Sequence, residues 1–449
     1  MAPVLTPSLT VDPAPARTTA STRRAYAVWG AAVLAYVVAI LDRSSLGVAS
    51  LQAGERFGAS AAVLSLFVVV QLVVYAGLQL PVGLLLDRVG PRRMIATGAV
   101  LMALGQLTLA VVTTIGPALG ARALVGAGDA LTFVSVVRLI PSWFPPRQVP
   151  ILTQLTGILG QLGQVLSAVP FLLLLHGPGW PTAFGSAAAL GAVMVIAVLA
   201  FVRDTPGSHP GSHPGSGRGR VAVAGASLAP EPSRLRATLT EPGTWLGYWT
   251  HFVSQFSGTT IILLWGFPFL VQGQGRTTAE ASALFTINVL AAILAGPLIG
   301  EFTARWPSRR LWLVVAVSVA TAVVWILVLV PAGPRPLWAL TMFMIVIAIG
   351  GPTSLISFDF ARSHHPPERL GTASGFINAG GFVASLTTMG GIGLVLDAVG
   401  PGAAGEYSLD AYRLALSVVV VPWVIGMVGL GASARSTRTR ARRALESMA

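Results

Sequence analysis

The stretch GLLLDRVGPRR (83–93) closes one long apolar run of the chain and opens the next. The run before it, 61–86, and the run after it, 94–114, each reach the ~20 apolar residues that cross a bilayer as a helix. The stretch is therefore a short polar loop between two membrane spans. A related stretch, GEFTARWPSRR (300–310), recurs 217 residues later, again after an apolar run. It keeps Gly300, Arg305, Arg309 and Arg310 but carries Ala304 where the first copy has Asp87. FPPRQVPILTQLTGILG (144–160) and HPPERLGTASGFINAGG (365–381) match in the same way, 221 residues apart. Matching loops in matching places mean a duplicated unit.

Working outward from these loops, twelve apolar runs lie near 25–49, 61–86, 94–114, 117–140, 149–175, 183–202, 245–271, 279–299, 311–330, 337–360, 372–396 and 412–430. The predicted fold is an all-α integral membrane protein of twelve transmembrane helices in two six-helix bundles. The bundles span 25–202 and 242–432, joined by a linker at 203–241. A disordered tail, 1–24, and a basic tail, 433–449, complete the chain. The linker holds GSHPGSHPGSGRGR, a Gly/Ser/Pro-rich flexible composition. His209 and His213 within it are a short duplication in a solvated segment, with weak metal binding as the alternative.

Composition agrees with a membrane protein. Of the 449 residues, 54% are hydrophobic and only 10% charged, with net charge +13. In a soluble chain that charge would point to nucleic acid, but its placement argues otherwise. All 29 basic residues are arginines. With both termini cytoplasmic, only Arg56, Arg276, Arg335 and Arg413 fall on outer loops, which is the positive-inside bias. The C-terminal RSTRTRARR then reads as an anchor at an anionic leaflet, and no nucleic-acid partner is expected. With no cysteine there is no disulfide, thiol chemistry or thiolate metal site.

Ionisable residues inside spans are costly and usually functional. Asp42 and Arg43 stand together in span 1 (YVVAILDRSSLGVAS), and Arg122 and Asp129 in span 4 (ALGARALVGAGDALTF). Arg122 and Asp129 are seven residues apart, on one helix face two turns separated. Arginine stays charged and offers a planar fork to a carboxylate. A carboxyl balanced between burial and a neighbouring arginine can take or release a proton as an anion leaves or arrives. The two acids are the expected proton-coupling residues and the two arginines the expected anion site. The alternative is a static buried ion pair that fixes helix packing.

Polar stripes extend the site. Gln154, Gly157, Gln161 and Gln164 share one side of span 5, and Asn378 lies on a small-residue face of span 11. Span 7 adds Tyr248, His251 and Gln255. Gln161, Gln164, His251, Gln255 and Asn378 are expected to line a central cavity and bind substrate. His251 is either a second proton site or a hydrogen-bonding neighbour. Asp359 near Arg362 reads as a helix-end pair. No His-Glu metal motif, nucleophile elbow or phosphate loop is present, so neither an enzyme nor an ATP-driven pump is expected.

Gly83, Asp87, Arg88, Gly90, Arg92 and Arg93, in their spacing between spans 2 and 3, resemble the signature loop of the major facilitator superfamily. That resemblance covers the whole chain apart from tails and linker. It implies alternating access at a site between the bundles, with the loop acid latching them on the cytoplasmic side. The set Asp42, Arg43, Arg122 and Asp129 is similar to the anion:cation symporter family within it, with Asp129 where glutamate is commoner. What this resemblance implies is a proton-coupled importer of a small organic anion. The competing reading is a proton-driven exporter of a drug-like or metabolite compound. The expected protein is a monomer in the bacterial cytoplasmic membrane, using a proton gradient and no bound cofactor.

Overall fold

In the computed structural model of the chain, residues 22–58, 61–206, 231–400 and 407–446 are described. Residues 1–21 of the expected 1–24 tail and the linker histidines His209 and His213 lie outside them, whereas Thr22–Arg24, expected to be disordered, form the first turn of span 1. Among the described residues, twelve helical segments are long and apolar enough to cross a membrane. In chain order, spans 1 to 6 are Thr22–Val48, Leu66–Val89, Pro91–Val111, Ile115–Trp143, Val149–His176 and Trp180–Phe201. Spans 7 to 12 are Pro242–Gly273, Thr278–Arg305, Pro307–Leu329, Leu337–His364, Pro367–Val399 and Leu409–Arg440. An even number of spans puts the start of span 1 and the end of span 12 at the same face of the bundle, the terminal face.

Large apolar side chains such as Leu298, Leu394 and Ile196 stay exposed on the helix bundles. A bilayer supplies the apolar surroundings that water does not. Spans 1 and 4 are the most enclosed, with 67% and 78% of their apolar windows buried. The ionic residues therefore sit in the interior of the first bundle, where an unpaired charge is expensive.

Three further features depart from the sequence expectation. Ser50–Phe57 forms a separate short helix after span 1. Glu231–Leu239 is helical within the segment expected to be linker. The expected basic tail continues span 12 as one helix, Val420–Glu446, and Arg440 pairs with Glu241 at 2.9 Å. Alanine- and arginine-rich sequence propagates a helix well once nucleated.

The bundles are joined unevenly. Near the terminal face, first-bundle residues such as Ile140 and Leu86 share one apolar core with Phe358, Ala361, Leu370, Ala373 and Ile377 of the second. In the other half each bundle keeps its own core, one around Phe67, Phe171 and Phe184, the other around Phe269, Phe343 and Tyr412. The molecule is thus closed at the terminal face.

Candidate functional site

Asp42 and Arg43 are neighbours in sequence, so on a helix their side chains diverge by about 100°. Arg43 turns toward span 4 and grips Asp129 with both arms of its fork, Nε to Oδ2 at 2.6 Å and Nη2 to Oδ1 at 2.8 Å. Asp129 is fully enclosed, whereas the Arg43 side chain is 28% exposed. That exposure makes the guanidinium the accessible end of the pair. Arg122 does not pair with Asp129, as its place on the same helix face led us to expect. Seven residues span about 10 Å of helix rise, too far for a direct bond when Arg43 stands closer.

Arg122 is instead buried among neutral acceptors. It donates to the Arg43 carbonyl at 3.0 Å, to the Asp42 carbonyl at 3.4 Å and to Gln71 Oε1. Its Nε has no partner, and neither do both carboxyl oxygens of the fully buried Asp42. Gln106 donates to the Asp42 carbonyl at 3.1 Å and to Ser45 Oγ at 3.1 Å. The centre therefore holds one closed ion pair and two buried charge-bearing groups, Arg122 and Asp42, without direct counter-ions.

Span 2 ties this centre to the second bundle. The Tyr75 ring lies under the Arg43 guanidinium, 5.2 Å from its carbon, within cation–π range. Asn378 donates to Tyr75 Oη at 3.2 Å and to Gln79 Oε1 at 2.8 Å. Phe382 packs on Tyr75 with ring centres 4.5 Å apart. Gln71, Tyr75, Gln79, Gly83 and Asp87 follow one another at four-residue spacing, so one face of span 2 carries the site, the bridge and the latch. That stripe was readable in the sequence, and our reading of span 2 missed all of it above Gly83.

In the second bundle His251 is buried, its Nδ1 3.0 Å from the Ser354 carbonyl and 3.1 Å from Ser357 Oγ. A carbonyl only accepts, so Nδ1 carries the proton and Nε2, which has no partner, is an open acceptor. His251 and Gln255 both crowd Gly381, where an added Cβ would lie 2.6 Å from His251 Cδ2 and 2.7 Å from Gln255 Oε1. Asn378 and Tyr248 also flank this helix face. Gln161 and Gln164 are exposed, and neither side chain hydrogen-bonds to an arginine. Asp359 pairs with Arg362 and lies 3.6 Å from Arg310.

The 83–93 stretch, expected to be a loop, is helical except at Gly90, which alone separates span 2 from span 3, and it is a latch in its geometry. Asp87 accepts from the Gly371 and Thr372 amides at 2.7 and 2.8 Å and from Thr372 Oγ1 at 2.7 Å. It thus caps the start of span 11, where the helix dipole favours an anion. Gly83 lets the helices touch, since a Cβ there would sit 2.6 Å from the Gly371 oxygen. Arg138 of span 4 adds a bond to the Pro367 carbonyl at 2.8 Å. Gly90 has φ +86° and abuts Asp204, which accepts the Arg92 amide at 2.8 Å. Burial pushes the Asp204 carboxyl up from its usual range, against that hydrogen bond and the nearby Arg92 charge. Arg92 also reaches the Leu199 carbonyl, and Arg93 is exposed. Asp87→Asn keeps the size but loses the charge on three bonds. It is expected to slow turnover at least tenfold while changing equilibrium affinity less than threefold, read as kcat against Kd.

Comparison with known proteins accords with this geometry. The family model of the Major Facilitator Superfamily matches residues 32–389. A putative tartrate transporter of Agrobacterium vitis is 29% identical over 181 residues, 39% of this chain and 42% of that one. The D-galactonate transporter of Escherichia coli O6:H1 is 25% identical over 301 residues, 64% and 69% of the two chains. A quinolone resistance transporter of Acinetobacter baumannii is 30% identical over 160 residues, 33% and 36% of the two. The alignment to the tartrate relative thus spans about two-fifths of its length. Among solved structures, a bacterial homolog of the human lysosomal transporter Spinster, inward-facing and unoccupied, superposes with a TM-score of 0.60. Its identity is 19%, and the match covers 94% of this chain and 98% of that one, a likeness of fold. The twelve spans found among the described residues, the latch and the matched model agree: this chain belongs to the Major Facilitator Superfamily.

Proposed function

We propose that this chain is a proton-coupled secondary transporter that imports a small organic anion across a bacterial cytoplasmic membrane. The observation that carries the reading is the Arg43–Asp129 pair. An internal carboxylate fills the fork of a partly exposed guanidinium, which is the place a substrate carboxylate would take. Relatives named for tartrate and galactonate support the substrate class. Arg122 is the second cationic anchor, and the His251 Nε2, Gln255 and Asn378 group supplies partners for hydroxyls from the other bundle. With the arginine-rich terminal face cytoplasmic, the closed side faces the cytoplasm and the site opens outward.

In this cycle the substrate carboxylate displaces Asp129 from Arg43. The freed carboxylate, buried and without its partner, binds a proton, because an unpaired ion there costs several kcal/mol. Asp42, with both oxygens unpartnered, is the second place for a proton. Closing over a neutralised site and reopening inward releases anion and proton together.

The test uses purified protein in liposomes with tartrate and D-galactonate as probes. An acid outside should drive accumulation at least tenfold over the no-gradient control. The quinolone-resistance relative favours a second reading, a proton-driven exporter. In that case outside acid drives loss of a preloaded quinolone and leaves both carboxylates where they were.

A further inference from the structure

The two halves close the terminal face along two seams, span 2 against span 11 and span 5 against span 8. The duplication relates these seams position by position. Gly83 corresponds to Gly300, and both are contact points: a Cβ at Gly300 would lie 2.9 Å from Ile151 Cα, as one at Gly83 meets Gly371. The latch, however, is absent from the second seam on both sides. Ala304 stands where Asp87 stands. Pro150, with no N–H, stands where Gly371 donates, and Ile151, with no hydroxyl, stands where Thr372 donates.

A swap of large and small residues accompanies the loss. In the first seam Gln79 of span 2 packs on Gly375 of span 11, a Cβ at Gly375 lying 2.2 Å from the Gln79 carbonyl. In the second the corresponding residues are Gly296 of span 8 and Gln154 of span 5. Gln154 is buried, and its Cγ is 3.3 Å from a Cβ built on Gly300. Its Nε2 donates across the bundles to the Pro352 carbonyl at 2.7 Å. That carbonyl is available because span 10 breaks at Leu355, whose amide reaches Pro352 only at 3.3 Å.

We propose that Gln154 is the lock of the second seam, a neutral hydrogen bond into a broken helix that does there what Asp87 does in the first. Gln154 is a positioning residue. It holds the terminal face shut and touches neither anion nor proton site, so its role is independent of what is carried. The two locks differ in kind: one loses strength with the charge of a carboxylate, the other does not.

The chain has no cysteine, so single thiols report opening directly. Thr303→Cys places one on the seam face of span 8, three residues beyond Gly300. Val165→Cys places one on the face of span 5 that carries Gln154, in the exposed half away from the terminal face. Maleimide labelling is followed in liposomes with no substrate added. In Gln154→Leu, labelling at position 303 should rise about tenfold and labelling at 165 should fall, because the seam opens as the far side closes. Adding Ala304→Asp, Pro150→Gly and Ile151→Thr together rebuilds the charged latch and should return both rates toward the parent. Unchanged labelling at 303 overturns the proposal. So does a rise at both positions, which marks a loosened protein, and so does failure of the rebuilt latch in a variant that otherwise labels like Gln154→Leu.

Discussion

Arg43→Ala should abolish binding of tartrate and D-galactonate, with affinity for any bound carboxylate reduced at least a hundredfold. The residue is the accessible half of a bidentate pair. A charge-assisted contact to a carboxylate contributes about 1.5–3 kcal/mol, and the planar fork adds orientation. Removal also strands Asp129, a buried carboxylate whose partner is gone, which costs about 3–5 kcal/mol of stability if it stays charged. Two readouts separate these effects. Arg43→Lys keeps the charge and loses the fork, so it should fold near normally and still bind poorly. Arg43→Ala with Asp129→Asn removes the stranded charge, so it should regain thermal stability without regaining binding. Isothermal titration and melting curves on the same preparations decide the matter. Wild-type affinity in Arg43→Lys would show that the fork does not receive the anion.

Much of this centre was legible because a bilayer punishes charge: four ionisable residues in two apolar runs could hardly be decorative. The loop at 83–93 was legible because its glycines and acid occur at fixed offsets, and its weaker copy revealed the duplication. What the sequence hid was pairing. Asp42 and Arg43 look like a pair when written side by side, and Arg122 with Asp129 looks like another. Helix geometry sends Arg43 to Asp129 across spans and leaves Arg122 among carbonyls and Gln71. Local spacing fixes which residues share a face, but which faces meet is set by the packing of whole spans. The span 2 stripe was legible but overlooked for a different reason. Gln71, Tyr75 and Gln79 are diluted among valines and leucines in a run that reads as lipid-facing, and only the four-residue period betrays them. Asp204 lay outside any apolar run and so seemed part of a linker. It instead abuts Gly90, the one loop position whose positive φ admits its close approach.

The same geometry sets the outcome for Asp129→Asn. Asparagine keeps the size and one carbonyl acceptor for Arg43, so the helices should pack as before. It cannot hold a charge, so it neither competes with a substrate carboxylate for the fork nor accepts a proton when displaced. Binding should therefore be retained or tightened and become independent of pH between about 5 and 8 in the variant. Exchange of labelled for unlabelled anion needs no net proton movement and should persist at a similar rate. Accumulation against a gradient needs a proton to travel with each anion, and should fall at least tenfold when a pH difference is imposed across the liposome membrane. The split between surviving exchange and lost accumulation is what a merely structural partner of Arg43 would not produce, since such damage would lower both together. Gradient-driven accumulation at the wild-type level would leave Asp129 as a packing residue. The proton would then have to be carried by Asp42, whose carboxyl lies one residue from Arg43 with both oxygens unpartnered, and Asp42→Asn in the same assay would separate the two.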